Sequence, residues 1–407
     1  MLYVKKLASL YPLLLIPLLY ASTAVALPEE RSLNDLFSPL IPSKFHAIAS
    51  TQNPSRYPHY TTQDSGKWVY IDADTWTTGF FPGTLYLLAE RTKLCKGAGK
   101  GEWDQEHWLD LGRSWSTGML KLTQGNKAQH DQGFLSYPFV EELKVNPRNE
   151  TAIKAVNDFA AILAARFSPL VGTTRSWDHD IYGPNDWPVI IDNMMNFELL
   201  FISSGLTNNP TLKSIARAHA DTTIKNQFRE DGSTWQVVTY NDATGDVIRK
   251  YTKQGYDNSS TWARGQAWAI HGYADMYKLT GDDDYLQTAR RSAEYFLSHT
   301  PSNNIVPWDF NSPEDLADTS AASVAAAGLL ILAKVEKNLR NRAKWTRSAI
   351  NLLKGTIDFA WAPTWDSILS NATSHHPNNN QRTGLVYGDY YFVQAANELV
   401  KQGLASC

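Results

Sequence analysis

Apolar residues recur every three or four positions in five segments of the chain, and polar residues fill the positions between them. This spacing puts the apolar side chains on one face of a helix, so each segment predicts an amphipathic surface helix. The five segments are 104–122, 151–167, 210–228, 283–299 and 341–361. A further amphipathic segment spans 31–49.

A second set of apolar segments is rich in Gly, Ala and aromatic residues and carries few charges, which is typical of helices covered on more than one side. These segments are 79–92, 133–143, 192–204, 264–278, 318–333 and 384–400. The two sets alternate along the chain and give about twelve helices, or six hairpins. The pattern therefore predicts an all-α fold, an (α/α)6 barrel, formed by a single domain over 27–407.

Each segment of the second set begins with a cluster of polar, aromatic or glycine residues, as in 79–83, 133–135 and 264–268. Alternate helices of successive hairpins run parallel, so we expect these six N-terminal ends to lie at one end of the barrel. Side chains there would converge on one concave site, where helix N-termini also favour anions. The alternative is that the clusters are only caps and small residues for close packing.

One region departs from helical periodicity. Residues 234–240 and 247–252 alternate apolar and polar positions around the turn-forming stretch 241–245. This pattern predicts a small β-hairpin inserted between helices.

Composition excludes several classes of protein. Of 407 residues, 43% are hydrophobic and 19% charged, which argues against global disorder, and the formal net charge of −3 offers no basic surface for nucleic acid. Aromatic residues reach 12%, and their faces suit sugar rings as well as protein cores.

The first 26 residues are typical of a cleavable secretory signal. Lys5 and Lys6 precede an apolar run from Leu10 to Ala21, and small residues follow at 24–26. A membrane anchor is the alternative, but a span needs roughly twenty apolar residues and this run is shorter. We therefore expect a secreted, extracellular protein with no membrane attachment after cleavage.

Two cysteines, Cys95 and Cys407, leave one disulfide open as a possibility and exclude a disulfide scaffold. Acceptor triplets for N-glycosylation begin at Asn149, Asn258 and Asn371 and agree with export.

Phosphate-binding, dinucleotide-binding, metalloprotease and serine-hydrolase motifs do not occur in the sequence. Two carboxylates at predicted helix starts stand out instead, Asp131 and Asp192. Apolar neighbours on both sides of Asp192 predict burial and a raised pKa, as a second carboxylate nearby would. Such a pair suits general acid catalysis on sugars. Simple N-capping by each Asp is the alternative.

Other side chains of these helix starts suit a bound sugar acid. Trp76, Trp262 and Trp268 offer faces for stacking, whereas Gln254 and Arg264 offer donors for hydroxyl and carboxylate groups. Structural aromatics in the core and a surface arginine are the alternative.

The segment 254–268, with its Ser-Thr-Trp-Ala-Arg-Gly-Gln-Ala-Trp string, resembles the signature of glycoside hydrolase family 88, the unsaturated glucuronyl hydrolases. Further blocks of the chain resemble that family in order, so the likeness covers essentially the whole predicted domain. These blocks are 76–83, 130–134, 191–196, 306–310, 318–322 and 387–391.

The resemblance implies a six-hairpin α/α barrel and removal of an unsaturated uronic acid from the non-reducing end of oligosaccharides made by polysaccharide lyases. In this family water adds across the C4–C5 double bond of the sugar, and the resulting hemiketal opens and releases the linked sugar. The implied partners are unsaturated uronic-acid oligosaccharides, and neither a metal nor an organic cofactor is implied.

Carried over by position, Asp192 matches the general acid/base of the family and Asp131 the second required carboxylate. The implied substrate-binding residues are Trp76, Gln236, Gln254, Arg264 and Trp268. Gln236 departs from the family, since many members have a titratable His there; this puts substrate preference in question rather than reaction type.

Three other functions remain open from the sequence. One is the related family 105 activity on unsaturated galacturonyl-rhamnose. A second is an inverting glycosidase, in which two carboxylates bracket a saturated linkage. The third is a toroid that binds carbohydrate without turnover, against which the presence of both Asp131 and Asp192 argues.

Overall fold

The computed structural model describes residues 33–95, 103–179 and 182–407. Residues Arg31–Cys407 group into one compact unit. The predicted signal segment, 1–26, lies outside the described residues. Within the described part of the chain, no helix is both long and apolar enough to span a membrane.

The described residues form twelve α-helices, which agree closely with the twelve segments of the hydrophobic pattern. They are α1 Leu40–Thr51, α2 Phe80–Leu94, α3 Gln105–Thr117, α4 Gln132–Val145, α5 Glu150–Ala164, α6 Phe197–Thr207, α7 Pro210–Gln227, α8 Ala263–Thr280, α9 Asp283–His299, α10 Thr319–Val335, α11 Leu339–Ala360 and α12 Val386–Lys401. Short 3₁₀ helices span Leu33–Phe37, Leu120–Gln124, Ile191–Asn196 and His376–Asn378.

The even-numbered helices form an inner ring. Each contacts the next even-numbered helix, and α12 contacts α2, so the ring closes. The odd-numbered helices from α3 to α11 pack outside it against their even-numbered neighbours. This arrangement confirms the predicted all-α (α/α)6 barrel.

Inner and outer helices differ as their sequences require. The inner helix α10 is built mainly from Ala, Ser and Leu and is buried on nearly every side. Its Gly328 faces α8 so closely that a Cβ would lie 2.8 Å from the Cα of His271, so no larger residue fits. Outer helices bury one stripe and begin at side-chain caps such as Asp282, which accepts from the N–H of Asp284.

The predicted β-hairpin exists as strands Val237–Asn241 and Val247–Tyr251, but it is part of a three-stranded antiparallel sheet. The third strand, Asp186–Ile190, pairs with Val237–Asn241 and leads directly into the 3₁₀ helix that contains Asp192. Two further hairpins pair Arg56–Thr61 with Trp68–Asp72, and Phe167–Ser168 with Thr173–Thr174. The prediction that only one region departs from helix was therefore wrong.

Cys95 and Cys407 form a disulfide, which settles the pairing that the sequence left open. It joins the end of α2 to the C-terminal residue across 312 positions of sequence. The chain terminus is thereby tied to an inner helix.

Candidate active site

A cavity of about 320 Å³ opens where the N-terminal ends of inner helices meet, a volume in the range of small-molecule sites. Helices α2, α4, α6 and α8, through their first residues or the segments before them, supply much of its lining. The lining residues are Asp74, Thr75, Trp76, Lys127, Ala128, Gln129, His130, Asp131, Phe134, Trp177, His179, Ile190, Asp192, Gln254, Trp262 and Arg264.

Asp131 and Asp192, which are 61 positions apart in sequence, both face this cavity. Neither carboxyl group caps a helix: the side chain of Asp131 makes no cap hydrogen bond at the start of α4. That capping comes instead from Asn196, whose Oδ1 accepts from the backbone N–H groups of Gly133 and Phe134 at 2.8 and 3.3 Å. Both carboxyl groups are therefore available to a ligand.

Burial raises the pKa of Asp192 from 3.8 to about 7. The positive charge of Arg264, the backbone N–H of Asp192 and the neighbouring indole of Trp268 work against this shift. Asp192 therefore exchanges its proton near neutral pH, as a group that both donates and accepts a proton must.

The pKa of Asp131 also lies well above its ordinary value. Burial is the main cause, and the charge of Asp192 adds to it, which shows that the two carboxyl groups are close enough to interact. The charge of Arg166 and the neighbouring amide of Asn196 oppose the rise. The two acids thus share one environment, although they come from different helices.

Arg264 lies in the cavity wall and is almost completely buried. Its guanidinium donates to the carboxylate of Asp318 and, at 2.6 Å each, to the carbonyls of Thr373 and Ser374. It also lies over the ring of Trp262, 4.5 Å from the centroid. Of its five N–H groups, two remain for a ligand, so the side chain is rigidly placed before any substrate arrives.

Gln254 lines the cavity as expected, whereas Gln236 lies behind it. The Oε1 of Gln236 accepts from the backbone N–H groups of Lys253 and Gln254 at 2.9 and 2.7 Å. Its Nε2 donates to Oε1 of Gln254 at 2.5 Å. These bonds hold the segment that presents Gln254, and the contact of Gln236 with substrate stays a prediction.

Trp76 stands in the cavity wall, partly exposed, and its ring packs against that of Tyr387 with centroids 5.0 Å apart. A partly exposed indole fixed from behind provides a stacking face for a sugar ring. Trp262, the other predicted aromatic face, also lines the cavity.

Trp268 does not line the cavity, contrary to the substrate contact expected of it. It is 1% exposed and packs between the rings of Phe134 and Tyr391, at centroid distances of 5.6 and 5.4 Å. Trp268 lies one turn after Arg264 on α8, where its side chain already faces the barrel interior. Its indole lies near Asp192 and lowers the pKa of that carboxyl, and its Nε1 has no hydrogen-bond partner among the described residues.

Several lining residues were not selected from the sequence, among them one aromatic residue and one histidine. Trp177 and His179 lie between strands, in a segment without any periodicity that would mark it. An aromatic residue among polar ones in such a segment is the only available signal. His130 was quoted only as part of a motif, yet its Nε2 lies 3.2 Å from Oδ1 of Asp131.

A second cavity of about 250 Å³ shares Trp76, Gln254 and Arg264 with the first. The rest of its lining is His59, Ser374, His375, Asn378 and Asn380. The segment that contains Ser374, His375, Asn378 and Asn380 therefore forms a wall of the site. Among the described residues, no group of three or more His, Cys, Asp or Glu side chains is arranged to hold a metal ion.

No family model matches the chain. It is similar to an unsaturated glucuronyl hydrolase of Formosa agariphila, with 36% identity over 80% of each chain. Among solved structures, an unsaturated glucuronyl hydrolase specific for heparin is 31% identical, with a TM-score of 0.81 over 92% of this chain and 98% of that one. A complex of such an enzyme with dGlcA-Glc-Rha-Glc is 26% identical, with a TM-score of 0.81 over 91% and 97%.

A closed α/α barrel, two interacting acids in one cavity and a relative matched over four-fifths of both chains all point the same way. This chain belongs to the unsaturated glucuronyl hydrolases, glycoside hydrolase family 88.

Proposed function

We propose that this protein removes the 4,5-unsaturated glucuronyl residue from the non-reducing end of oligosaccharides that polysaccharide lyases generate. The reaction begins with hydration of the C4–C5 double bond. The observation that carries this proposal is the pair of raised-pKa acids, Asp131 and Asp192, lining a single sugar-sized cavity.

The proton of Asp192 goes to C4 of the unsaturated sugar, and the positive charge that develops is shared between C5 and the ring oxygen. Water then bonds to C5 and gives its proton to the carboxylate of Asp192, which restores the acid. A pKa of about 7 suits both steps, because neither form of the group is strongly preferred near neutral pH. The hemiketal opens at C5, and the hemiacetal left at C1 releases the linked sugar.

The rest of the cavity wall suits an anionic ring. Arg264 offers two unused N–H groups and a positive charge to the sugar carboxylate, and Gln254 offers an amide to hydroxyl groups. Trp76 offers a flat face for the ring. The second cavity, which shares these three residues, is where we place the departing sugar.

A panel of defined disaccharides tests the proposal. We expect loss of the alkene absorbance and release of the second sugar from unsaturated glucuronyl disaccharides, and no reaction with their saturated counterparts. Cleavage of the saturated compounds alone would identify an ordinary glycosidase. Preference for unsaturated galacturonyl-rhamnose would move the assignment to the family 105 activity, and binding without turnover would identify a carbohydrate-binding toroid.

We also propose that the protein acts outside the cell. The N-terminal pattern of 1–26 supports export, and the disulfide between Cys95 and Cys407 suits an oxidising compartment. Expression of the full chain in a secreting eukaryotic host should release into the medium a protein that begins after residue 26 and loses mass on deglycosylation. Retention of an uncleaved chain in the cytosol would refute this part of the proposal.

A further inference from the structure

The neighbours of Asp131 constrain its protonation state as well as its position. Three residues lie near the carboxyl group of Asp131. They are His130, which precedes it in sequence, Asn196 at the end of the 3₁₀ helix, and Asp192 across the cavity. The hydrogen-bonding state of the first two can be worked out from their other contacts.

The tautomer of His130 is set from behind. Its Nδ1 lies 2.9 Å from the carbonyl oxygen of Ser176, and a carbonyl can only accept, so Nδ1 carries the hydrogen. The same carbonyl accepts from the guanidinium of Arg166 at 3.3 Å, which disfavours a second positive charge there. His130 is 2% exposed, and burial lowers its pKa from 6.5 to about 3. The ring is therefore neutral, and Nε2 presents a lone pair.

The Nε2 atom lies 3.2 Å from Oδ1 of Asp131 and has no hydrogen-bond partner among the described residues. If Asp131 were ionised, two acceptors would face each other in a buried site and repel. If Asp131 is protonated, its O–H is within reach of Nε2 and has an acceptor.

Asn196 constrains the same carboxyl group with the opposite polarity. It is fully buried, and its Oδ1 is occupied by the N–H groups of Gly133 and Phe134. Its Nδ2 therefore points away from α4 and has no hydrogen-bond partner among the described residues, although Asn196 lies near enough to Asp131 to lower the pKa of that carboxyl. A Cβ on Gly133 would lie 2.7 Å from Oδ1 of Asn196, so this close approach requires glycine. Asn196 thus favours the ionised form of Asp131, so the neutral form depends on burial and on the acceptor that His130 presents.

We propose that His130 is a positioning residue that holds Asp131 as a neutral carboxylic acid in the resting enzyme, which leaves Asp192 as the member of the pair that exchanges a proton. The catalytic meaning of this inference rests on the proposed function, whereas the protonation state can be measured without turnover. A neutral Asp131 also avoids repelling the carboxylate of an anionic sugar.

The other charged groups around Asp131 and Asp192 do not account for a neutral Asp131. Arg166, which favours ionisation of Asp131, is neutralised by Asp178 at 2.8 Å, and Arg264 is paired with Asp318. His179 also lowers the pKa of His130, whereas Asp178 raises it, and burial remains the largest cause. The net effect of these neighbours leaves His130 uncharged.

Infrared spectroscopy of the resting full-length protein tests the protonation state directly. At mildly alkaline pH, where Asp192 is ionised, we expect the wild type to show a protonated-carboxyl band that Asp131→Asn lacks. If the difference spectrum shows loss of a carboxylate band instead, the inference is overturned. If the acid band is found but unsaturated disaccharides are not turned over, the proposed function fails and this inference stands.

Two variants of His130 test whether it holds Asp131 in the neutral form. His130→Gln places an amide oxygen near the position of Nε2 and keeps an acceptor for Asp131, whereas His130→Asn keeps only the group that reaches Ser176. We expect Asp131 to ionise at lower pH in His130→Asn, and its charge then to raise the alkaline limb of kcat/KM by about one pH unit or more. His130→Gln should behave like the wild type. Identical infrared titrations of Asp131 in both variants would refute the role of His130, and the Asp131→Asn spectrum remains decisive if either variant does not fold.

Discussion

Replacement of Asp192 by Asn should abolish turnover while making the protein more stable at alkaline pH. Asn has the shape of Asp but cannot deliver a proton to C4, and general acid catalysis typically contributes about 10²–10⁴-fold to the rate. We expect kcat to fall at least that far, with little change in the dissociation constant of an unsaturated disaccharide.

The gain in stability follows from the raised pKa. Because the folded protein binds this proton more tightly than the unfolded chain, the free energy of unfolding falls as pH rises from 3.8 to about 7 and stays lower above that. The difference is about 3 pKa units at about 1.36 kcal/mol each, or about 4 kcal/mol, which is a ceiling because the residue is partly exposed. Above neutral pH, Asp192→Asn should therefore unfold at a temperature a few degrees higher than the wild type.

Asp389→Asn is the matched control. Burial also raises the pKa of Asp389 to about 7, but this carboxyl lies outside the lining of both cavities and accepts from the backbone N–H groups of Ile368 and Leu369 at 2.8 and 3.1 Å. Its loss should reduce stability and leave turnover per folded molecule unchanged. Thermal melts of both variants at mildly alkaline pH, with kcat measured on the folded fraction, test the predictions on stability and on turnover. Substantial turnover by Asp192→Asn, or a lower melting temperature above neutral pH, would refute the role we assign to Asp192.

Three further predictions concern pH, specificity and the disulfide. The rate should fall tenfold per unit of pH above about 7, because Asp192 must be protonated to begin the reaction, and a rate independent of pH there would exclude it as the acid. Gln236→His should raise KM and alter the ranking of substrates while kcat is largely kept, since a His ring cannot accept from both Lys253 and Gln254; complete inactivation would show a more direct role. Reduction of the bond between Cys95 and Cys407 should lower the free energy of unfolding by about 2–5 kcal/mol in denaturant titrations, and an unchanged midpoint would mean that the tie carries no stability.

The barrel could be predicted because each of its helices carries its own evidence. An outer helix such as α9 shows one apolar stripe, and an inner helix such as α10 shows small residues on all sides, so alternation of the two kinds specifies the ring. The short strands carry much less evidence in their own sequences. Thr173–Thr174 has only two residues and therefore no period, and the strand Asp186–Ile190 reads as an apolar run before Asp192.

The site was predicted where chemistry and helix starts coincide, as at Asp131, Asp192 and Arg264, which all line one cavity. The direction in which a side chain at a helix start points could not be predicted from the sequence. Trp268 follows Arg264 by four residues and was expected to contact substrate, yet a small rotation of α8 decides whether such a ring meets the cavity or the barrel interior. The function of Asn196 depends on which donors occupy its Oδ1, and no sequence pattern reveals that.

The central claim is that Asp192 protonates an alkene and does not act at the anomeric carbon. A C-glycoside of the unsaturated glucuronic acid tests it most directly, because its bond at C1 cannot be hydrolysed whereas its C4–C5 double bond can still be hydrated. In heavy water we expect the wild-type enzyme to remove the alkene absorbance and place one deuterium at C4, and Asp192→Asn to do neither. If the C-glycoside is bound but its alkene persists while the ordinary O-glycoside is cleaved, the account is contradicted.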